Sequence, residues 1–429
     1  MNGNMIIKNV AELVTCSGSA AKQGAEMADL KIISDGAVVM REGKIEDVGD
    51  TEAVLSRLER KKENLESFDI IDASDRAVLP GFVDSHTHLV FGGYRADEFA
   101  WRLRGDSYMK IMERGGGILN TVAATRMTSA EELIALGMGR LNSMLSMGVT
   151  TVEGKSGYGL DRDTEIKQLE VMRELDALHY IDIVPTFLGA HAVPAEYGGK
   201  EDAFIDLIME TVLPEVADRK LAVFCDVFCE QNVFSVDQSR RLLTVAQKLG
   251  LEVKLHADEM ASLGGAELAA ELGAVSADHL LQASDTGLQQ MAAAGVVATL
   301  LPATAFSLKE DYARGRFMID SGCAVALASD LNPGSCFTES IPLVSALAAL
   351  CMELSPAEIV TALTINGAAA VGRADHIGSI DPGKNADLVI LEFPSHQFIP
   401  YHLAVSTVDK VVKSGNLVFD KQNGGVVYC

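Results

Sequence analysis

The sequence predicts an α/β protein, namely a TIM-like (β/α)8 barrel joined to a small β-sandwich domain formed from both chain ends. Eight short apolar runs alternate with helical stretches between Leu79 and Gly372, and polar residues follow most of these runs. Segments rich in β-forming residues occur at both ends of the chain. The predicted domains are 1–78 plus 373–429 for the sandwich and 79–372 for the barrel.

The eight runs are the predicted barrel strands, because parallel strands covered on both faces are almost continuously apolar. In chain order they read "GFVDSHTHL", "VTTVEGKSGYG", "IDIVPTFLGAH", "LAVFCDVFCE", "LEVKLHADE", "AVSADHLL", "VVATLLPAT" and "AVALASDLNPGS". Between them, stretches such as "TEIKQLEVMRELDALH" and "VDQSRRLLTVAQKLG" carry apolar residues at helical spacing. An open doubly wound sheet is the alternative, and the count of eight favours the barrel.

The two chain ends resemble each other in composition. The first 75 residues contain "MIIKNVAELVTC" and "GAVVMREGKIEDVG", with the charged helical piece "EAVLSRLERKKENL" after them. The last part contains "GSIDPGKNADLVILE" and "VDKVVKSGNLVFD", which again read as strands with glycine-containing turns. We therefore expect the two ends to pair in one small β domain.

Composition and charge exclude several classes of function. The chain has 60 acidic and 36 basic residues, a net charge of −24, which disfavours a nucleic-acid partner. It contains no run of 18 apolar residues, so no membrane span is expected. Its seven cysteines are scattered without a Cys-x-x-Cys pair, which indicates reduced thiols in the cytoplasm and buried side chains rather than zinc ligands.

Two histidines follow the first barrel run, in "VDSHTHL". On a strand, side chains two residues apart point to the same face, so His86 and His88 can grip one object together. Taken alone, the pair is equally typical of one buried, hydrogen-bonded histidine beside another in a turn. The other strand ends decide between these interpretations.

Five of the nine histidines lie at the ends of predicted barrel strands, where barrel enzymes build their active sites. They are His86, His88, His191, His256 and His279. Together with Asp330, which ends the eighth run, the set suits one divalent metal ion, zinc or ferrous iron. Such a metal would lower the pKa of a bound water toward ~7. We predict the ligands to be His86, His88, His256 and Asp330.

Three of these strand-end residues are predicted to be catalytic. Glu259 and His279 suit proton transfer, and Asp330 suits orientation of the attacking water. Each also has an ordinary structural interpretation. His279 could be a hydrogen-bonded core histidine, and Asp330 could cap the turn that Asn-Pro-Gly forms after it.

Several of these segments together resemble the amidohydrolase superfamily over essentially the whole chain. The metal-site segments are "PGFVDSHTHL", "KLHADE", "ADHLL" and "ASDLNPGS". Longer segments resemble one family within it, the imidazolonepropionases of histidine degradation: "VDSHTHLVFGGYRADEF", "RGGGILNTVAATR", "EGKSGYGLD", "FLGAHAVP" and "SDLNPGS".

The resemblance implies hydrolysis of the ring C–N amide bond of 4-imidazolone-5-propanoate, which gives N-formimidoyl-L-glutamate. It implies one zinc or iron ion at the four predicted ligands, and it makes a homodimer plausible. It also implies a set of substrate-binding positions, which are Arg95, Tyr158, His191, Glu259, Asn332, Gly334 and Ser335. Some amidohydrolases bridge two metals with a modified lysine. Lys155 follows the second run rather than the fourth, so we predict one metal and an ion-pairing Lys155.

The physical interpretation agrees with the resemblance at Arg95. A protein of net charge −24 needs a local cation to hold a propanoate, and a guanidinium offers a bidentate fork. A surface ion pair of Arg95 with Asp97 or Glu98 is the alternative. Two other functions remain open: another amidohydrolase acting on a related heterocycle, of the deaminase or cyclic-amidase type, and a noncatalytic scaffold that keeps the barrel.

Overall fold

A computed structural model describes residues 4–105, 110, 114 and 116–427 of the chain. It contains a parallel barrel of eight strands and a separate sheet of nine strands, as predicted. None of the helices in these residues is long and apolar enough to cross a membrane. The six cysteines in these ranges are free, and all but Cys351 are buried, whereas Cys429 lies outside the described residues.

The nine-stranded sheet is formed by both chain ends. Its strands are β1 (Met5–Val14), β2 (Ile32–Arg41), β3 (Lys44–Asp50), β4 (Asp69–Asp72), β5 (Ala77–Pro80), β14 (Leu388–Leu391), β15 (Val408–Lys413), β16 (Asn416–Asp420) and β17 (Gly425–Val426). The order is β17-β16-β15-β14-β5-β1-β2-β3, and β4 pairs with β1. Strand β14 runs antiparallel to β5, so this pairing joins the two ends. Apolar residues of both ends share one core, among them Ile7, Val38, Leu388 and Ile390.

The barrel strands coincide with the eight predicted runs. They are β6 (Phe82–Asp84), β7 (Val149–Lys155), β8 (Asp182–Ala190), β9 (Phe224–Cys229), β10 (Glu252–Ala257), β11 (Ser276–His279), β12 (Val297–Leu300) and β13 (Ala324–Leu327). Neighbours along the chain are neighbours in the sheet, and every pair is parallel. Most of their residues are buried, as strands covered by helices outside and side chains inside require.

Hydrogen bonds between the segments that follow β6 and β13 bring the first and last strands together. The backbone N–H of Asp330 donates to the carbonyl of His86 at 3.0 Å, and that of His88 donates to the carbonyl of Leu331 at 2.9 Å. Asp84, at the end of β6, accepts hydrogen bonds from the N–H and hydroxyl of Ser329. The alternative of an open doubly wound sheet is therefore wrong, and the seam lies beside the predicted metal ligands.

Helices surround the barrel. In chain order the helices are Thr51–Arg60, Ala96–Leu103, Ile118–Met127, Ala130–Ser146, Arg162–Leu178, Glu201–Leu207, Leu213–Asp218, Val236–Lys248, Gly265–Leu272, Asp285–Ala294, Pro302–Leu308, Gly315–Asp320, Ile341–Cys351, Pro356–Leu363, Ile365–Ala370 and Phe398–Tyr401. A π-helical turn, Ile208–Val212, joins two of them. The helix Val236–Lys248 begins at a capping box of Ser235 and Gln238, which satisfies backbone N–H groups that would otherwise lack acceptors.

A partly buried pair of ion pairs joins the two parts of the chain. Lys413 of β15 lies 2.6 Å from Asp182 at the start of β8 and 2.7 Å from Asp387. Strand β5 continues past residue 78, because Leu79 and Pro80 still pair with β14. The limits proposed for the two domains remain a prediction.

Candidate metal centre and active site

The predicted strand-end residues meet at the C-terminal mouth of the barrel. The ring centroid of His86 lies 5.4 Å from that of His88, 4.6 Å from that of His256 and 5.5 Å from that of His279. All of these side chains are buried. Because the carboxyl ends of all eight strands face this side, residues as far apart in sequence as His86 and Asp330, 244 positions, come into contact.

His86 and His88 converge on one carboxylate oxygen. The Nε2 atoms of His86 and His88 lie 3.6 and 3.7 Å from Oδ1 of Asp330. Ligand atoms that share a tetrahedral zinc lie about 3.4 Å apart, so this spacing suits a common metal ion. The other oxygen of Asp330 accepts a 2.6 Å hydrogen bond from the Thr304 hydroxyl. Asp330 has φ +52°, a strained conformation that fixes its carboxylate toward the histidines.

Buried carboxylates hold the other ring nitrogen of two histidines. Nδ1 of His86 lies 2.7 Å from Oδ2 of Asp278, and Nδ1 of His256 lies 2.9 Å from Oδ2 of Asp226. This is the arrangement that orients metal-ligating histidines, because it fixes the tautomer and leaves Nε2 unprotonated. Among the described residues, Nε2 of His86 and of His256 has no hydrogen-bond partner, and the 2.9 Å contact at Nδ1 of His256 also lacks hydrogen-bond geometry. The donor set therefore fits a divalent metal.

Other groupings of these side chains have similar spacing. His86, His256 and His279 bring ligand atoms within 4.8 Å of one another, and so do His88, His191 and His256. The four predicted ligands thus share one cavity floor with His191 and His279. His256 belongs to these other groupings and not to the group of His86, His88 and Asp330, so its role as a ligand remains a prediction.

A network of buried charges lies beside the histidines. Lys155 Nζ lies 3.0 Å from Glu153, 2.8 Å from Asp226 and 3.3 Å from Asp278, and all four side chains have no exposed area. Burial alone lowers the pKa of this lysine, but the three carboxylates hold it well above its ordinary value. The prediction of an ion-pairing Lys155 is confirmed. Lys254, 2.7 Å from Glu153, adds a second buried cation.

His279 and Glu259 form a pair at the edge of the histidine cluster. Nδ1 of His279 lies 3.5 Å from Oε1 of Glu259, and the backbone N–H of Glu259 donates to Glu230 at 3.0 Å. Burial, together with the Asp330 carboxylate, raises the pKa of Glu259 to about 8. His279 has φ +76°, a second strained position at this mouth. Burial and the neighbouring His256 lower the pKa of His279 well below its ordinary value, so a neutral imidazole faces the Glu259 carboxyl.

Tyr158 and His191 form one wall of the mouth. The His191 ring stacks on that of His88 with centroids 4.8 Å apart and an angle of 10°, and Tyr158 lies 5.3 Å from His191. His191 keeps its orientation through a 3.1 Å contact between Nδ1 and the carbonyl of Gly157. Glu165 is buried and accepts hydrogen bonds from three backbone N–H groups of this loop, at Gly157, Gly159 and Leu160.

Arg95 lies beside the "NPGS" loop, Asn332 to Ser335. The Arg95 side chain lies against the backbone of Gly334, where an added Cβ would come within 2.0 Å of its Nη1. Its Nε donates to Glu98 at 2.8 Å. The ion pair of Arg95 with Glu98, which the sequence suggested as a surface alternative, is therefore present. It is largely buried and lies beside the proposed active site. Asn332 accepts from the N–H groups of Gly334 and Ser335, so its side-chain oxygen holds the loop.

Sequence reasoning missed the carboxylates that orient the histidines. Asp226 stands inside "FCDVFC" and Asp278 inside "SADH", and both side chains are completely buried. Buried carboxylates are rare unless they are paired, so an aspartate within an apolar barrel strand is itself a signal of an interior partner. Thr304 ends the seventh predicted run, where a threonine is ordinary, and Glu98 was considered only as a surface partner of Arg95.

Comparison with known proteins agrees with this geometry. The sequence model of the amidohydrolase family matches residues 77–418. A protein named imidazolonepropionase from Clostridium tetani is 58% identical over 419 residues, covering 98% of this chain and 99% of that protein. One of the same name from Parabacteroides distasonis is 58% identical over 416 residues, covering 97% and 99%.

The fold also has close structural neighbours. A crystal structure of an adenosine deaminase from Xanthomonas campestris with bound zinc has a TM-score of 0.71 and 18% identity, covering 99% of this chain and 94% of that one. At this identity the likeness concerns the fold alone.

The fold, the histidine cluster and these matches define a hydrolase of the amidohydrolase family, to which the chain belongs. Within that family it is a member of the imidazolonepropionases, hydrolases that act on a cyclic amide C–N bond.

Proposed function

We propose that this enzyme hydrolyses the ring C–N amide bond of 4-imidazolone-5-propanoate to N-formimidoyl-L-glutamate in histidine degradation, using one divalent metal ion. The observation that carries the proposal is the convergence of His86 and His88 Nε2 on Asp330 Oδ1, at 3.6 and 3.7 Å. High identity to relatives named imidazolonepropionase supports the choice of substrate.

His86, His88, His256 and Asp330 would hold the metal. When bound, a divalent cation supplies Lewis acidity, which polarises a carbonyl and lowers the pKa of a coordinated water. Imidazole and carboxylate ligands suit zinc and ferrous iron alike, so either ion is compatible with the site. A single ion is the proposal, because Lys155, which would have to bridge two, is engaged by three buried carboxylates.

The chain's own residues move the protons. Asp330, fixed by Thr304, orients the water that adds to the ring carbonyl carbon. Glu259 and His279, 3.5 Å apart, accept the proton of that water and return one to the ring nitrogen as the C–N bond breaks. Once the His279 imidazole carries the proton of the attacking water, it stabilises negative charge on the carbonyl oxygen.

The walls of the mouth hold the substrate. The Arg95 guanidinium would bind the propanoate, and Tyr158 would donate a hydrogen bond to the same group. His191 would lie beside the imidazolone ring, since its own ring already stacks on His88. Backbone N–H and carbonyl groups near Gly334 and Ser335 would meet the ring polar atoms, while the Asn332 side chain keeps this loop in place.

Two other functions agree less well with this site. A deaminase or cyclic amidase for a neutral heterocycle would leave Arg95 without a ligand. A noncatalytic scaffold would not need to keep all four predicted ligands together at the strand ends.

We also propose the cytoplasm as the compartment, because the described cysteines are free.

The test is hydrolysis of 4-imidazolone-5-propanoate, followed by ultraviolet absorbance, by wild type and by Arg95→Met. We expect turnover by wild type and a KM raised about tenfold or more in the variant, because a charged hydrogen bond is lost. Arg173→Met, on the exposed face of helix Arg162–Leu178, is the matched control. No turnover by metal-loaded wild type, or an unchanged KM in Arg95→Met, would contradict the proposal.

The roles of Glu259 and His279 need separate variants. Glu259→Gln and His279→Asn should each lower kcat by about a hundredfold or more and remove one limb of the pH–rate profile. Near-normal turnover in both variants would show that the two residues do not carry the proton transfers.

A further inference from the structure

A buried acidic side chain lies beside the cation proposed to bind the substrate. Glu98, on the helix Ala96–Leu103, is 7% exposed. A carboxylate next to an anion-binding arginine competes with the ligand for the same charge, so its presence requires a structural reason. The inference below rests on the proposed function and deepens it.

The contacts of Glu98 supply that reason. Its Oε2 accepts hydrogen bonds from Arg95 Nε at 2.8 Å and from the backbone N–H of Gly117 at 3.0 Å. Its Oε1 accepts from Asn120 Nδ2 at 3.3 Å. Glu98 therefore occupies the Nε side of the guanidinium, and hydrogen bonds from Gly117 and Asn120 hold Glu98 in place.

The other two nitrogens of the Arg95 guanidinium, Nη1 and Nη2, are available to a ligand. Among the described residues, no hydrogen bond is made by Nη1 or Nη2 of Arg95, and Nη1 lies against the backbone of Gly334. These two nitrogens form the fork that binds a carboxylate with two parallel hydrogen bonds. The hydrogen bond from Nε to Glu98 restrains rotation of this fork.

Arg102 lies about one turn beyond Glu98 on the same helix, and its Nη2 is 3.5 Å from the Ser307 hydroxyl. Burial and the positive charge of Arg95 lower the pKa of Arg102, whereas the Glu98 carboxylate raises it.

We infer that Glu98 is a positioning residue, which fixes Arg95 so that the site selects ring compounds that carry a carboxylate. Glu98 does not touch the reacting atoms. Its removal should therefore weaken carboxylate recognition without changing the chemical step or the metal site.

The experiment compares two probes that differ in one group, 3-(imidazol-4-yl)propanoate and 4-propylimidazole. Their affinities are measured by calorimetry on the metal-loaded wild type, Glu98→Gln and Glu98→Ala, and metal content is measured in parallel. We expect each variant to bind the propanoate probe about tenfold more weakly, with unchanged affinity for the neutral probe and unchanged metal content. With substrate, KM should rise and kcat should stay within about twofold.

Two further variants separate positioning from a general structural role. Glu358 is also buried and pairs with an arginine, Arg316 at 2.9 Å, so Glu358→Gln is the matched control and should bind both probes as wild type does. Adding Glu98→Gln to Arg95→Met should cost no further affinity, because Glu98 acts through Arg95.

Three results would overturn the inference: wild-type affinity of Glu98→Gln for the propanoate probe, equal weakening of both probes, or a wild type that does not prefer the propanoate probe. Calorimetry needs no turnover. A wild type that selects the propanoate probe but does not hydrolyse the imidazolone would contradict the proposed reaction and leave the role of Glu98 standing.

Discussion

Asp278 Oδ2 lies 2.7 Å from Nδ1 of His86, and both side chains are completely buried. The same carboxylate oxygen lies 3.3 Å from Lys155 Nζ, which also contacts Asp226, the partner of His256. One lysine thus links the two carboxylates that orient two of the proposed metal ligands. The proposed metal site and the buried charge network therefore form one unit.

Replacing Asp278 by asparagine should weaken metal binding by about 10–100-fold, because the tautomer and orientation of His86 would no longer be fixed. The measurement is metal content after dialysis against a series of buffered free-metal concentrations. Glu358→Gln removes a buried carboxylate elsewhere and should retain metal as wild type does. Wild-type metal affinity in Asp278→Asn would show that His86 does not need this partner.

Gly334→Ala should raise the KM for the propanoate substrate by about tenfold while changing stability little. The new Cβ would lie 2.0 Å from Arg95 Nη1, and the flexible end of that side chain can move away, so the cost falls on substrate binding rather than on folding. Steady-state kinetics and a thermal unfolding curve are both measured. An unchanged KM would mean that the guanidinium does not need its position against this loop.

Gly139→Ala should stabilise the protein by about 0.5–1 kcal/mol, because alanine favours a helix more than glycine does. Gly139 lies within the helix Ala130–Ser146, and an added Cβ there meets no atom within 4 Å. Urea unfolding of the variant should therefore show a higher midpoint with unchanged kinetics. A lower midpoint would contradict the exposed, helical position of Gly139.

The Asp381 carboxylate should make stability depend on pH at the acidic end. It accepts hydrogen bonds from the hydroxyls of Ser17 and Ser379 and from the Gly18 N–H. Partial burial alone would raise the pKa of Asp381. The three hydrogen-bond donors nevertheless hold this pKa below its ordinary value of 3.8. Its contribution is thus fully present above about pH 4 and is lost as pH falls through the lower folded-state pKa.

The variant Asp381→Asn isolates this contribution. Urea unfolding at pH 7 should show a loss of about 1 kcal/mol relative to wild type, and the difference should shrink toward pH 3. A difference that stays constant or grows as the pH falls would mean that the charge of Asp381 is not what these donors stabilise.

Much of the fold follows from periodicity that the sequence displays. Each barrel strand is an apolar run of its own, and the histidines at run ends needed only the rule that such ends share one face of a barrel. The pairing of the chain ends was predictable because β14, β15 and β16 repeat the composition of β1 to β3.

The side-chain partners were less accessible to sequence reasoning, since hydrogen bonds between distant residues leave no periodic signal. His86 and Asp278 are 192 positions apart, so no local pattern connects them. At Asn332 the preference of asparagine for turns was visible, and the structure uses the side chain for that purpose. The ion pair of Arg95 with Glu98 was foreseen only as a surface alternative, because burial of a helix side chain depends on its tertiary neighbours.

The most direct test of the metal-dependent mechanism measures hydrolysis of 4-imidazolone-5-propanoate and metal content together, before chelation, after chelation, and after titration with zinc or ferrous iron. We expect turnover to vanish with the metal and to return in proportion to one equivalent per chain. His86→Ala should neither retain the metal nor regain turnover. Full turnover by metal-free wild-type protein would contradict the account.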